Sequence, residues 1–116
     1  MIIITEFSGG FKMDVIDVKD FQNDVLNHKG LVLVDFWATW CAPCRQMHSV
    51  MELLAVKHSD VKIAKVNIED HPELPNTYGV ASVPTFLLFK DGDVKASLVG
   101  VNPAAVFEKL FEDWRE

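Results

Sequence analysis

The chain has two cysteines, Cys41 and Cys44, separated by two residues. A C-x-x-C pair at the junction of a strand and a helix reads as a thiol–disulfide redox couple. The spacing has a physical reason. Residues three apart on a helix share a face, so the sulfurs can reach bonding distance without moving the backbone. The first cysteine would stand at the helix N-terminus, where unpaired N–H groups and the helix dipole favour a thiolate over a thiol. The competing use of such a pair is half of a metal site. A structural zinc needs four ligands, and the remaining candidates are four scattered histidines. The pair is therefore expected to do redox chemistry, with no metal.

The flanking segments must position that pair. Before it runs Leu31–Trp37, apolar except for Asp35, and after it an amphipathic segment spans residues 45–58. At about 100° per residue, Met47, Val50, Met51, Leu54 and Ala55 form one stripe, which reads as core and not as a cofactor site. Cys44 falls at the margin of that stripe, while Cys41 and Glu52 fall beyond it. Cys41 should then be the more exposed thiol and Cys44 the more buried one, the asymmetry that an attacking and a resolving thiol require. His48 lies one turn past Cys44 on the polar side and reads as a solvated helix residue with at most a modest influence on thiol titration. Asp35 either points to solvent from an edge strand or is buried. Burial would raise its pKa and make it a proton acceptor for the deeper thiol, Cys44.

The other elements follow in chain order. Residues 13–18 suggest a short strand, and Asp17 a cap for a helix in which Val18, Phe21, Val25 and Leu26 share a face, with Gly30 as its stop. Leu31–Trp37 is the near-continuous apolar strand that a sheet covered on both faces needs. Val61–Asn67 reads as another strand, followed by a polar turn and a short helix over Glu73–Tyr78 stopped by Gly79. Val83 and Pro84 precede a strand at Thr85–Lys90. The Asp91-Gly92 pair is a hairpin signal, so Asp93–Val99 should return antiparallel. Asn102 as cap and Pro103 at the first position open a last helix with Phe107, Leu110, Phe111 and Trp114 on one face. The order β-α-β-α-β-α-β-β-α predicts an α/β fold, a three-layer α/β/α sandwich whose mixed sheet is parallel among the early strands and antiparallel at the hairpin.

With 116 residues, 49% hydrophobic and 24% charged, the chain suits one globular domain with its own core. Seventeen acidic against eleven basic residues give a net charge of -6, and no basic cluster is present to neutralise phosphates, which argues against nucleic acid. No run approaches the length of a membrane span. Two cysteines in one tight motif differ from the dispersed pairs of a secreted scaffold, so a cytoplasmic address and a catalytic pair are expected. Residues 1–12 fit the rest poorly, because Ser8-Gly9-Gly10 breaks the pattern and Met13 would serve as a start. They read as an extension or an expression remnant, with a cleavable address as the lesser alternative, and leave 13–116 as the domain.

The segment Val34-Asp35-Phe36-Trp37-Ala38-x-Trp40-Cys41-x-Pro43-Cys44 resembles the active-site signature of the thioredoxin family. Ile63-Ala64-Lys65-Val66-Asn67, Tyr78-Gly79-Val80, Val83-Pro84-Thr85, Lys90-Asp91-Gly92 and Val99-Gly100 keep the family's order and spacing, so the resemblance covers roughly residues 13–116. It implies the thioredoxin fold and a protein-disulfide reductase cycling between dithiol and disulfide. Cys41 would be the nucleophile, Cys44 the resolving thiol and Asp35 the proton acceptor. Lys65 would be the partner of Asp35, unless it is a solvated face residue. The resemblance also implies a cis Val83–Pro84 bond beside the disulfide, with the Val83 backbone facing an extended client. A plain strand-start proline is the alternative. Trp40 would stand at the exposed rim with Ala42, Pro43, Val83, Pro84, Gly100 and Val101 as an apolar patch for client chains, and Trp37 would pack beneath.

The resemblance implies no bound cofactor. The oxidised pair would be recycled by a flavin-containing thioredoxin reductase drawing on NADPH, and the chain would act as a monomer in electron transport and cell redox homeostasis. Three positions depart from the family's habit. Ala42 stands where Gly is usual and restricts the backbone between the cysteines. Arg45 stands where Lys is common and keeps the charge. Ser49 stands where a Pro often kinks the helix. None removes a reacting group. The same fold also carries disulfide oxidases, isomerases and binding subunits whose cysteines are incidental. A reduction potential distinguishes the first two, and a double Cys→Ser variant the third.

Overall fold

Five strands form a single mixed sheet in a computed structural model that describes residues 15–115. The readings placed on residues 1–12, and the first two positions of the strand expected at 13–18, lie outside the described residues. The elements are β1 (Val15–Asp17), α1 (Gln22–Leu26), β2 (Leu31–Trp37), α2 (Ala42–Lys57), β3 (Val61–Asn67), α3 (Glu73–Tyr78), β4 (Thr85–Lys90), β5 (Asp93–Val99) and α4 (Ala104–Trp114). The strand order across the sheet is β1-β3-β2-β4-β5. β3 runs parallel to β1 and β2, and β4 runs antiparallel to both β2 and β5. The antiparallel pairing thus extends beyond the hairpin, because β4 lies in the sheet interior and also pairs with β2.

That order explains the composition of β2. A strand with neighbours on both sides and helices on both faces has no polar exit, and its first six residues are all buried. Alternate side chains serve two separate cores. Leu31 and Leu33 join Val61, Ile63, Phe86 and Leu88 beneath α2 and α4, which contribute Met47, Met51, Leu54, Phe107 and Phe111. Val32, Val34 and Phe36 face the other way, with Ala64, Val66, Leu87 and Phe89, toward Val25 of α1 and Leu74 of α3. Phe86 and Phe107 meet edge to face at 4.9 Å, a favoured quadrupole geometry. By the same alternation Asp35 belongs to the face under α2.

Two helix starts differ from the sequence reading. Asp17 does not cap α1. It pairs with Lys65 in the β1–β3 ladder, and its carboxylate bonds the Lys19 ammonium at 3.3 Å. The cap is instead reciprocal between two other aspartates. Asp20 Oδ1 accepts the Asn23 N–H at 3.2 Å, and Asp24 Oδ2 accepts the N–H groups of Lys19 and Asp20, each at 3.1 Å. The helix that follows is a single π-helical turn, closed by the Asn27 N–H on the Gln22 carbonyl at 2.8 Å. At α4 the expected cap moves one residue on. Pro103 takes the extended cap position, while the Asn102 amide donates to the Val99 and Gly100 carbonyls and ties the turn leaving β5.

Candidate active site

β2 ends at Trp37, and a three-residue turn delivers Cys41 to the N-cap of α2. The turn is closed by the Cys41 N–H on the Ala38 carbonyl at 3.2 Å. Pro43 sits in the first helical turn, where its missing N–H costs nothing. Cys41 and Cys44 are joined in a disulfide, their Cα atoms 5.3 Å apart. The Cys44 N–H donates to Cys41 Sγ at 3.1 Å. In the reduced state that donor, with the dipole of a sixteen-residue helix behind it, favours negative charge on Cys41. Cys41 is 4% exposed and Cys44 0%, so the expected order holds but the difference is small in the disulfide form. Ala38 is buried against the pair, with Trp37, Ile68 and Val83 around it.

Asp35 is fully buried, which excludes the solvent-edge reading. Neither of its carboxylate oxygens has a hydrogen-bond partner among the described residues. Desolvation therefore dominates and pushes its pKa from an ordinary 3.8 up to about 7, against a smaller downward pull from Lys65. Lys65 is its register neighbour on β3. The Lys65 ammonium lies 4.5 Å from the centre of the Trp37 ring, a cation–π contact on a half-buried side chain. Lys65 is thus partly covered by the Trp37 ring and partly open to solvent.

His48 differs from the sequence reading. Its ring meets Trp37 edge-on at 5.4 Å, and its Nε2 and the indole Nε1 of Trp37 are both buried without a partner among the described residues. Burial, reinforced by the positive charge of Lys65, holds its pKa below the usual histidine value. Helical periodicity missed this because the covering group comes from the end of a neighbouring strand. His48, Trp37 and Lys65 line a cavity of about 350 Å³ together with Val15, Asp17 and Glu52.

The remaining predicted residues surround the disulfide. Trp40 is 67% exposed and Val101 56%, Ala42 and Pro43 are exposed, and Val83 and Gly100 are partly covered. Pro84 is buried, and the Val83–Pro84 peptide bond is cis. The Gly100 N–H donates to the Pro84 carbonyl at 2.9 Å and holds the end of β5 against this loop. Ladder pairing of β4 begins at Thr85, so Val83 stands outside it. A second cavity of about 110 Å³ lies beside Trp40 and Val83, lined also by Ile68, Val80 and Ala81. Among the described residues no group of His, Cys, Asp and Glu could hold a metal ion.

One cluster next to the pair carried no sequence signal. The Glu69 carboxylate accepts both the backbone N–H and the hydroxyl of Thr39, at 3.1 and 2.9 Å. The Arg45 guanidinium donates to the Thr39 carbonyl at 3.1 Å. Residues thirty apart in sequence meet here only because β2 and β3 pair in register up to Trp37 and Asn67.

Comparison with known proteins places this geometry. The thioredoxin family model matches residues 12–113. A thioredoxin of Rhodospirillum rubrum is 45% identical over 105 residues, covering 90% of this chain and 97% of that one. A thioredoxin of Listeria monocytogenes is 36% identical over 101 residues, covering 86% and 98%. Among solved structures, a mutant thioredoxin from Halobacterium salinarum superposes with a TM-score of 0.79 at 33% identity, over 88% of this chain and 91% of that one.

Proposed function

The chain belongs to the thioredoxin family and is a thiol–disulfide reductase, and from that premise we propose how its residues divide the work. Cys41, as a thiolate, attacks one sulfur of a client disulfide, forms a mixed disulfide and expels the first client thiolate. Cys44 then gives its proton to Asp35 and attacks Cys41 Sγ, which expels the second client thiolate. Two electrons have moved: the client disulfide is reduced and the Cys41–Cys44 dithiol is oxidised. The observation that carries this assignment is the pairing of a helix-capping Cys41 with a buried, unpartnered Asp35 on the sheet face that α2 covers. Lys65 acts on Asp35 as a nearby charge without a hydrogen bond, and Trp37 keeps that ammonium in place.

Client proteins bind at the rim. Trp40, Ala42, Pro43, Val83, Gly100 and Val101 offer a shallow apolar surface suited to loose recognition, with Pro84 supporting Val83 from behind. Electrons return from NADPH through a thioredoxin reductase, so no cofactor need reside on the chain. A monomeric cytoplasmic carrier working in electron transport and redox homeostasis fits the cysteine usage. Nucleic acid and membranes are not partners on this reading, in keeping with the net charge of -6. Among the described residues no helix is long and apolar enough to cross a membrane. The working domain is residues 13–116, with 1–12 as an extension.

Insulin reduction under a dithiol reductant tests the division of labour. Cys41→Ser should lose turnover, whereas Cys44→Ser should accumulate a stable mixed disulfide visible as a reductant-sensitive adduct. A Cys44→Ser protein that turns over normally would remove Cys44 from the resolving step.

A further inference from the structure

The turn between β2 and the disulfide is held more firmly than its exposure suggests. Every hydrogen-bonding group of Thr39 except its hydroxyl lone pairs is engaged. The N–H and hydroxyl go to one oxygen of Glu69, and the carbonyl goes to Arg45. Glu69 is itself fixed, since its N–H donates to Asn67 Oδ1 at 2.8 Å and the preceding Ile68 N–H donates to the Trp37 carbonyl at 2.9 Å. The two peptide planes flanking Thr39 are therefore each held by a charged group, the first through its N–H by an anion and the second through its carbonyl by a cation. The second of those planes sets the direction in which Trp40 leaves the backbone. Trp40 itself is two-thirds exposed and has little packing of its own to hold it against the groove shared with Ile68, Val80 and Val83.

We propose that Glu69 is a positioning residue for client recognition, acting through Thr39 to hold Trp40 at the edge of that groove, with Arg45 completing the strap. Arg45 is then more than a retained positive charge, because its guanidinium reaches back six residues to a carbonyl. The proposal rests on the reductase reading and refines it. The strap governs how a polypeptide client is gripped and leaves the chemistry of the cysteines alone. Losing both charge-assisted bonds to Glu69 frees the turn that directs Trp40 and predicts about a fivefold rise in KM for a protein client, equivalent to about 1 kcal/mol.

The experiment compares insulin with hydroxyethyl disulfide, a substrate too small to span the rim, for the wild-type chain, Glu69→Ala and Glu69→Gln. The expected result for Glu69→Ala is a KM for insulin raised about fivefold, with kcat within about twofold and an unchanged rate on the small disulfide. Glu69→Gln retains an acceptor oxygen and should restore most of the insulin KM. An unmoved KM in Glu69→Ala overturns the proposal. An equal loss on both substrates also overturns it, by showing that Glu69 serves the cysteines or the fold. A wild-type chain that reduces the small disulfide but not insulin would sink the protein-client reading itself, a result separate from any behaviour of the variants.

Discussion

Asp35 concentrates the physics of this protein in one side chain. Its folded-state pKa stands at about 7 instead of 3.8, because burial without hydrogen bonds opposes the charge. Between those two values the folded chain holds a proton that the unfolded chain has released. Stability attributable to Asp35 therefore falls as pH rises through that window, and above pH 7 the full penalty is present. With roughly 1.4 kcal/mol for each pKa unit, the penalty is on the order of 4 kcal/mol. Asp35→Asn should accordingly be more stable than the wild type at pH 8, by a few kcal/mol in urea unfolding, and nearly equal to it at pH 4. The same variant should resolve mixed disulfides roughly 100-fold more slowly at pH 8 and lose the rise in that rate through pH 7, as expected when a general base is removed. Stopped-flow release of client thiol would show both effects. A variant that is slower but no more stable would mean that Asp35 is not desolvated. Asp35 stood out in the sequence because a lone carboxylate inside an apolar run must either reach solvent at an edge or be buried at a cost. The packing of His48 left no such mark, because it depends on Trp37 at the end of a neighbouring strand.

At the scale of elements, legibility followed the number of constraints on each. β2 to β5 appear at their expected bounds, since each is a continuous or alternating run closed by turn residues. The hairpin is a case in point. Asp91 and Gly92 both take positive φ, 51° and 89°, which suits the right-handed twist of the strands they join. α1 was harder, because Asp17, Asp20 and Asp24 all satisfy a capping rule and only the β1–β3 ladder decides that Asp17 belongs to a strand. Two glycines test how tightly such turns are fixed. A Cβ at Gly92 would come within 2.8 Å of the Leu26 carbonyl oxygen, whereas a Cβ at Gly30, at a similar φ of 93°, would meet nothing within 4 Å. Gly30→Ala should cost about 1 kcal/mol from backbone strain alone. Gly92→Ala should cost roughly 2–3 kcal/mol, since α1 must also give way. Thermal melts of the two variants would separate these contributions, and equal losses would show that α1 yields freely.

Across the whole molecule, the sheet order converts short sequence signals into one reaction centre. β2 lies centrally and supplies Asp35 from its middle and Trp37 from its end. α2 begins at the disulfide and crosses the same face that carries Asp35 and Lys65, while β3 and the turn after it bring Lys65 and Glu69 to the site. At the far end of α2, Arg115 bonds both Asp60 and His58, and Glu108 bonds His58 and Lys57, which joins that end to the middle of α4 and to the residue that caps it. These contacts hold the Asp60 and Glu108 carboxyls below their usual range. What they add to stability is present above the ordinary carboxylate pKa and is lost as pH falls through the lowered values. Exposure keeps it small. The reaction centre thus sits at one end of a helix whose other end is fastened. In the molecule as a whole, Cys41 and Cys44 serve as a reductant, and their reduction potential, read by equilibration against a dithiol buffer, tests this most directly. A potential more negative than the glutathione couple, roughly -240 mV, is the predicted result. A clearly less negative value would make the chain a disulfide oxidant or isomerase and would contradict the assignment.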